Sequence, residues 1–199
     1  MRVINKRRRL LVIATSTFGV TGIGFAAVPF IASMLPSARA KALGGLVEVD
    51  ISKLEHGQML TAEWRRQPVW IVSRTSPILA RLKSNAPLLA DPNSHVESQQ
   101  PTYAKNLYRS IKPEILVLIG ICTHLGCIPL KQFAVGDESG LGGDWPGGFF
   151  CPCHGSKFDL AGRVFKNVPA PTNLVVPPHH YATNTHIVIG VDPTEGKHN

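Results

Sequence analysis

Acidic residues are missing from the first 40 residues of this 199-residue chain, although six lysines and arginines lie there. The remaining residues hold 15 basic and 13 acidic side chains, so most of the formal net charge of +8 belongs to the N-terminal tail. No basic segment is interleaved with aromatic residues, and the charge therefore does not indicate nucleic-acid binding. Internal repeats are lacking too, and the length fits one ordinary domain with accessory segments.

Cysteine is also scarce, and all four cysteines lie in two short boxes, Cys122–Cys127 and Cys151–Ser156. The first box reads Cys-Thr-His-Leu-Gly-Cys and the second reads Cys-Pro-Cys-His-Gly-Ser, so every cysteine lies within three residues of a histidine. Two cysteines plus two histidines form the ligand set that distinguishes a Rieske [2Fe–2S] centre from an all-cysteine cluster.

Other uses of cysteine and histidine have to be compared with this one. A structural zinc site usually has its two cysteines together and its two histidines together. Here cysteine and histidine alternate within each box, which suits two metals, one held by both cysteines and the other by both histidines. Covalent haem attachment requires Cys-x-x-Cys-His, and the second box is one residue short of that motif. Zinc and a metal-free domain with two disulfides remain as alternatives at this point.

The two boxes resemble those of the Rieske iron–sulfur subunit of quinol–cytochrome c oxidoreductases, the cytochrome bc complexes. This resemblance implies one [2Fe–2S] cluster, with one iron bound by Cys122 and Cys151 and the other by His124 and His154. It also implies a mainly β fold, in which a single transmembrane helix and a flexible hinge precede a Rieske-type β-sandwich head. That head would contain a cluster-binding subdomain and an insertion of helix and loop.

Further residues take roles from the same resemblance. Cys127 and Cys153 would form a disulfide that joins the two cluster loops. Leu125 would lie at the tip and face the quinol pocket of the b-type cytochrome. Ser156 would donate a hydrogen bond to a cluster sulfur, and Phe158 stands where many respiratory members have a hydrogen-bonding tyrosine. The phenylalanine removes one donor and argues against a very high potential.

The segment Val168-Pro169-Ala170-Pro171 resembles the Gly-Pro-Ala-Pro loop that covers one side of the cluster in this family. Proline fixes φ and lacks an N–H group, so the segment is predicted to be stiff. Valine stands at the position of the family's glycine.

The implied function is electron transfer within a quinol–cytochrome c reductase. The imidazole of His154 is predicted to hydrogen-bond quinol and to accept its proton as the electron leaves, with His124 as the second histidine of the site. The partners would be a b-type cytochrome, a membrane-bound c-type cytochrome, quinol and membrane lipid, in a dimeric complex without nucleic acid. The alternative is a Rieske relay subunit of a periplasmic molybdenum oxidase such as arsenite oxidase.

The N-terminal region is predicted to anchor the chain in the bacterial inner membrane. Residues 10–35 carry no charge and exceed the roughly 20 residues that a membrane span needs. Residues 1–9 form a basic tail, which the positive-inside rule assigns to the cytoplasm, so the head lies on the periplasmic side. Arg7-Arg8-Arg9-Leu10-Leu11 also resembles a twin-arginine export signal. Ala38-Arg39-Ala40 fits a signal-peptidase site, and cleavage there would release a soluble head.

Residues 36–45 are predicted to be the hinge, and residues 46–199 the head, with the cluster-binding part at about 120–172. Strands are predicted at Val47–Ile51, Val69–Val72 and Ile115–Ile121, and residues 186–191 are predicted to close the sheet. Pro77–Pro113 is interpreted as the insertion, and glycine-rich residues 136–148 as a loop between the boxes. The six histidines outside the boxes are interpreted as surface or strand residues, with His179-His180 in a polar turn: His56, His95, His179, His180, His186 and His198.

Overall fold

The computed structural model describes residues 5–35 and 45–192. The chain divides into two compact units, Met1–Ala42 and Leu43–Asn199. Apart from Gly45, the predicted hinge at residues 36–45 lies outside the described residues, as does the signal-peptidase site at Ala38–Ala40. The division into tail, anchor, hinge and head therefore stays a prediction at its boundaries.

The first unit contains one long apolar helix, α1, which spans Lys6–Ser33. Its 28 residues rise about 42 Å, more than the roughly 30 Å of a bilayer's hydrocarbon core. The mean hydropathy reaches 1.8 over 18 residues, so length and composition suit a membrane span. Hydroxyls inside the helix donate to carbonyls one turn earlier, which satisfies them without water: Thr15, Thr17 and Thr21. The predicted apolar helix is confirmed.

The second unit is mainly β, as predicted, but its described strands form three antiparallel three-stranded sheets rather than a single sheet. The sheet orders are β1-β9-β8, β2-β3-β4 and β5-β6-β7. The strands are β1 (Val47–Asp50), β2 (Met59–Trp64), β3 (Gln67–Ser73), β4 (Ile115–Ile119), β5 (Leu130–Gln132), β6 (Gly148–Phe150), β7 (Lys157–Asp159), β8 (His179–Tyr181) and β9 (His186–Ile189).

In the sheet β2-β3-β4, strands β3 and β4 are buried on both faces. Val69 and Ile71 of β3 pack with Ile187 of β9 in one hydrophobic cluster. Trp70 and Val72 point to the opposite face and join the larger cluster. A strand that is covered on both faces has a continuous apolar sequence instead of an alternating one, which explains why the sequence of β3 was recognisable.

Strand β2 was not predicted, and the turn that joins it to β3 explains why. The hairpin pairs Trp64 with Gln67 through a two-residue turn. Both turn residues, Arg65 and Arg66, have positive φ, at 51° and 62°. Such a turn usually carries Asn-Gly, and Arg-Arg gives no sequence signal for it. The guanidinium of Arg65 lies 4.4 Å from the centre of the Trp64 ring.

The predicted insertion begins with a short helix and continues in turns. Helix α2 spans Ser76–Ser84 and buries Ile78 and Leu82 against the larger cluster. Three short 3₁₀ turns follow before β4, at Ala86–Leu88, Glu97–Gln99 and Thr102–Ala104. The combination of helix and loop in the insertion is as predicted.

Two fully buried arginines, Arg74 before the insertion and Arg109 within it, are hydrogen-bonded to the turn after β7. Arg74 donates from Nη1 to the Leu160 carbonyl at 3.0 Å, and Arg109 donates from Nη1 to the Ala161 carbonyl at 3.1 Å. Burial lowers the pKa of both groups from 12.5 to about 10, so both remain protonated at neutral pH. They fix the turn that follows the second cysteine box.

A third buried arginine forms an ion pair inside the same turn. Arg163 binds Asp159 with Nη2 at 2.7 Å from Oδ2, and both side chains are fully buried. Oδ1 of Asp159 accepts the backbone N–H groups of Ala161 and Arg163, each at 2.9 Å. The carboxylate thus organises the turn and compensates one of the buried cations.

Candidate metal centre

The first cysteine box forms a closed loop between β4 and β5. The N–H of Cys122 donates to the Cys127 carbonyl at 2.7 Å, and the N–H of Gly126 donates to the Cys122 carbonyl at 3.0 Å. Gly126 has a φ of +83°, a conformation that glycine adopts without a Cβ penalty. The loop directs its cysteines inward and leaves Leu125 at its tip, with 70% of its surface exposed.

The second box, between β6 and β7, repeats the same hydrogen-bond pattern. The N–H of Cys151 donates to the Ser156 carbonyl at 2.8 Å, and the N–H of Gly155 donates to the Cys151 carbonyl at 2.9 Å. Gly155 has a φ of +78°. The two boxes therefore form similar loops, in which the first cysteine and the fifth residue, a glycine, have the same backbone roles.

The folded loops bring together two thiols and two imidazoles. Cys122 and Cys151 are free cysteines, buried and in side-chain contact with each other. Burial raises the pKa of Cys122, and the backbone N–H of His124 partly opposes that effect. The rings of His124 and His154 lie edge to face, with their centres 4.8 Å apart. His154 is exposed and His124 is half-buried.

A disulfide joins Cys127 of the first loop to Cys153 of the second, across a sequence separation of 26 residues. The disulfide implied by the resemblance is therefore present in the structure. The sulfur of Cys151 lies close by, and the three sulfurs of Cys127, Cys151 and Cys153 are all within 4.8 Å of one another.

The donor set fits a [2Fe–2S] cluster of the Rieske type. Two buried sulfurs suit an iron with thiolate ligands, and two adjacent imidazoles nearer the surface suit an iron with nitrogen ligands. A single tetrahedral zinc ion would use the same four side chains. The remaining two cysteines are joined to each other and serve as ligands in neither case.

The proline segment predicted to cover the cluster is hydrogen-bonded to the second loop, and Thr172, the residue after it, is hydrogen-bonded to the first. The N–H of Ala170 donates to the Ser156 hydroxyl at 3.0 Å. The Thr123 hydroxyl donates to the carbonyl of Thr172 at 2.7 Å. Val168 packs at the edge of the larger hydrophobic cluster. Thr123 was not singled out from the sequence, because its partner lies 49 residues away.

Ser156 and Phe158, predicted to tune the cluster, are both fully buried near the cysteines. The Ser156 hydroxyl lies near the Cys122 sulfur and acts to lower the pKa of that thiol. Because the hydroxyl oxygen accepts from the Ala170 N–H, its own proton is free to point toward the sulfur. Phe158 lies in β7, directly opposite Phe149 of β6, and belongs to the same core cluster as both free cysteines.

Two exposed side chains near the tip were missed in the sequence. Ile128 and Leu130 follow the first box and are exposed, at 55% and 53%. With Leu125, they make three exposed large apolar side chains within six residues of the chain. The alternation of apolar residues after Cys127 is the signal that would have identified them.

Among the histidines outside the boxes, the prediction for His179-His180 was wrong. These residues begin strand β8 instead of forming a polar turn, and the side chain of His179 is buried. Its Nδ1 lies 2.8 Å from the carbonyl oxygen of Pro177, and burial lowers its pKa. His186 lies in β9, as a strand residue, and His198 lies outside the described residues.

Comparison with known proteins gives two family matches. A model described as "Rieske [2Fe-2S] domain" matches residues 91–179. A model described as "Ubiquitinol-cytochrome C reductase Fe-S subunit TAT signal" matches residues 3–37. The first covers both cysteine boxes and the proline segment, and the second covers the basic tail and α1.

Curated relatives match over nearly the whole chain. A "Ubiquinol-cytochrome c reductase iron-sulfur subunit" from Allochromatium vinosum is 62% identical over 190 residues, which is 95% of this chain and 91% of the relative. Proteins of the same name from Blastochloris viridis and Rhodospirillum rubrum are 43% and 40% identical, over 92% and 94% of this chain and 92% of each relative.

Proposed function

Because this chain belongs to the family of Rieske iron–sulfur subunits of ubiquinol–cytochrome c reductase, we propose that it transfers electrons from quinol to a c-type cytochrome within a cytochrome bc complex. One observation carries the proposal. Two buried thiols and two adjacent imidazoles, from two similar loops joined by a disulfide, form one donor set. The relatives' names support this function over that of a relay subunit in a molybdenum oxidase.

In this proposal Cys122 and Cys151 hold the buried iron of the cluster, and His124 and His154 hold the iron nearer the surface. When bound, such a cluster supplies a one-electron acceptor with a potential of roughly −150 to +300 mV, against about −400 mV for plant-type ferredoxins. The burial of both thiols excludes water from the sulfur side, and the exposure of His154 leaves one ligand ring accessible to a substrate.

The exposed ring of His154 binds the quinol hydroxyl. Imidazole can accept a proton in the physiological pH range, so this side chain receives the quinol proton as the electron leaves. Leu125, Ile128 and Leu130 expose apolar surface on and just after the first loop. This surface suits docking on the quinol pocket of a b-type cytochrome.

Ser156 sets the potential by donating its hydroxyl proton toward the Cys122 sulfur. A donor of this kind stabilises the extra negative charge of the reduced site. Phe158 offers no such donor at its position, and the potential is lower than a tyrosine there would give. The proline segment and Thr172, each hydrogen-bonded to one of the loops, keep solvent away from this side.

The chain is anchored in the inner membrane by α1, with its basic tail in the cytoplasm and its head in the periplasm. The arginines of the tail and the matched signal model support export through the twin-arginine route. A disulfide in the head is consistent with an oxidising compartment. The complex around the subunit contains a b-type and a c-type cytochrome and is dimeric.

Electron paramagnetic resonance of the dithionite-reduced full chain in detergent tests the ligand set. Changing any of the four proposed ligands to alanine should abolish the Rieske signal, because no spare donor replaces the lost one. The matched control is His95→Ala, which removes an exposed histidine outside the boxes and should leave the signal intact. A normal signal from His154→Ala would contradict the assignment.

The proton role of His154 has a separate readout. Since proton and electron arrive together, the midpoint potential of the wild-type chain should fall as pH rises. A midpoint that does not change with pH would contradict the proposed role of His154 while leaving the ligand set unaffected.

A further inference from the structure

The free cysteine Cys151 lies beside the disulfide that joins the two loops. Its sulfur and the two bonded sulfurs of Cys127 and Cys153 are all within 4.8 Å of one another. Cys151 is unbonded and its surface is almost completely buried, at 2% exposure. A nucleophilic sulfur and an electrophilic disulfide therefore already occupy the same small volume.

The backbone holds the three sulfurs in this arrangement. Cys151 and Cys153 are separated only by Pro152, in a loop closed by the bond from the Gly155 N–H to the Cys151 carbonyl. Cys127 ends the other loop, where its carbonyl accepts from Cys122. The proximity of the three sulfurs thus follows from the geometry of the two hydrogen-bonded loops.

We propose that, in a chain without its cluster, Cys151 exchanges with this disulfide. The Cys151 thiolate attacks the sulfur of Cys127, the Cys127–Cys151 bond forms, the Cys127–Cys153 bond breaks, and Cys153 leaves as a thiolate. The proton lost by Cys151 is matched by the proton gained by Cys153. The number of thiols and disulfides is unchanged, so the step needs no oxidant or reductant.

Two features favour attack on Cys127 over attack on Cys153. Cys153 is exposed, so its departing thiolate is solvated, whereas Cys127 is half-buried and less well solvated as a leaving group. A bond between Cys151 and Cys153 would also have to close a small ring across Pro152, whose φ is fixed. The expected product is therefore the Cys127–Cys151 disulfide.

Exchange and cluster binding compete for the same sulfur. A chain in which Cys151 is bonded to Cys127 lacks one proposed cluster ligand, and it cannot take up a cluster until a thiol or phosphine reductant resets it. A bound cluster, conversely, occupies Cys151 and protects the Cys127–Cys153 disulfide. This protection rests on the proposed function, whereas the exchange itself rests only on the three sulfurs.

Disulfide mapping of the full chain in detergent tests the inference. The cluster is removed anaerobically with an iron chelator, and samples are quenched in acid, alkylated under denaturing conditions, digested and analysed by mass spectrometry. We expect the Cys127–Cys153 peptide pair to be lost from most molecules. The Cys127–Cys151 peptide pair should replace it, and Cys153 should be alkylated. The number of free thiols should stay at two per chain before and after cluster removal. Retention of the native pair in depleted protein would overturn the inference.

Two matched variants separate exchange from other effects of cluster loss. Cys122→Ser and Cys151→Ser each remove one proposed ligand, but only the first keeps the nucleophile. Cys122→Ser should exchange without any chelator, and Cys151→Ser should keep the Cys127–Cys153 pair with Cys122 free. Equal disulfide patterns in the two variants would overturn the inference. Exchange in cluster-loaded wild-type protein would instead contradict Cys151 as a ligand, and thus the proposed site, while leaving the exchange chemistry supported.

Discussion

Removing the carboxylate charge of Asp159 should strongly destabilise the head. Oδ2 of Asp159 accepts two bonds from Arg163, from Nε at 2.9 Å and from Nη2 at 2.7 Å. In Asp159→Asn, the side-chain oxygen can still accept from the two backbone N–H groups only if the amide NH₂ group takes the position of Oδ2. There the NH₂ group faces the N–H groups of the Arg163 guanidinium, and neither side can accept a hydrogen bond. Both charge-assisted bonds are then lost, and Arg163 is left as a buried cation without its partner.

The size of the effect follows from burial. Both side chains are fully buried, so water cannot replace the lost carboxylate. Breaking a buried ion pair by removing one partner costs about 3–5 kcal/mol. Two further buried guanidinium groups, Arg74 and Arg109, already feel the charge of Asp159 and of Arg163, which places the expected loss toward the upper end. For a domain of this size, the melting temperature should fall by roughly 6–20 °C.

Thermal unfolding of the cluster-loaded full chain in detergent measures this loss at one fixed scan rate. Tryptophan fluorescence reports the head alone, because all three tryptophans lie there: Trp64, Trp70 and Trp145. The matched control is Asp144→Asn, an exposed carboxylate in the loop between the boxes, which should shift the melting temperature little. Replacing both Asp159 and Arg163 with apolar residues should recover part of the loss. A melting temperature for Asp159→Asn equal to that of the control would refute the reasoning.

The remaining predictions concern redox tuning, the disulfide and pH. Ser156→Ala should lower the midpoint potential by about 40 mV, because one hydrogen bond is worth about 1 kcal/mol and a tenfold change in equilibrium constant corresponds to about 59 mV. Phe158→Tyr should raise the midpoint potential. A redox titration that shows neither shift would contradict the proposed tuning. Cys127→Ser opens a cross-link across 26 residues and should destabilise the head by about 3–4 kcal/mol, measured by thermal unfolding against wild type. Burial lowers the pKa of His179 in the folded chain. As pH falls below about 6.5, this histidine therefore takes up a proton in the unfolded chain before it does so in the folded chain. The free energy of unfolding then decreases by up to about 1.4 kcal/mol per pH unit. Melting temperatures between pH 7.5 and 5.5 should therefore fall less in His179→Gln than in wild type or in His95→Gln, and equal slopes would exclude this histidine as a cause.

The elements that the sequence predicted are those with a strong local pattern. The apolar run of α1 and the continuous apolar strands β3 and β4 can be recognised because their side chains are apolar over several successive residues. Strands of three residues, such as β5 and β7, are too short to show a period. His179 and His180 follow two prolines and were predicted as a turn, although pairing with β9 makes them a strand.

The sequence by itself determined the cluster-binding chemistry, the long apolar helix α1 and the family. The spacing of cysteine and histidine within each box is a local property, so the ligand types can be identified from residues that are close in sequence. Tertiary structure alone decided that Cys151 lies against the Cys127–Cys153 disulfide, that Thr123 reaches Thr172, and that Asp159 sits among buried arginines. These distances join residues of separate loops and turns, and they are fixed only when the core packs and the buried polar groups must find partners.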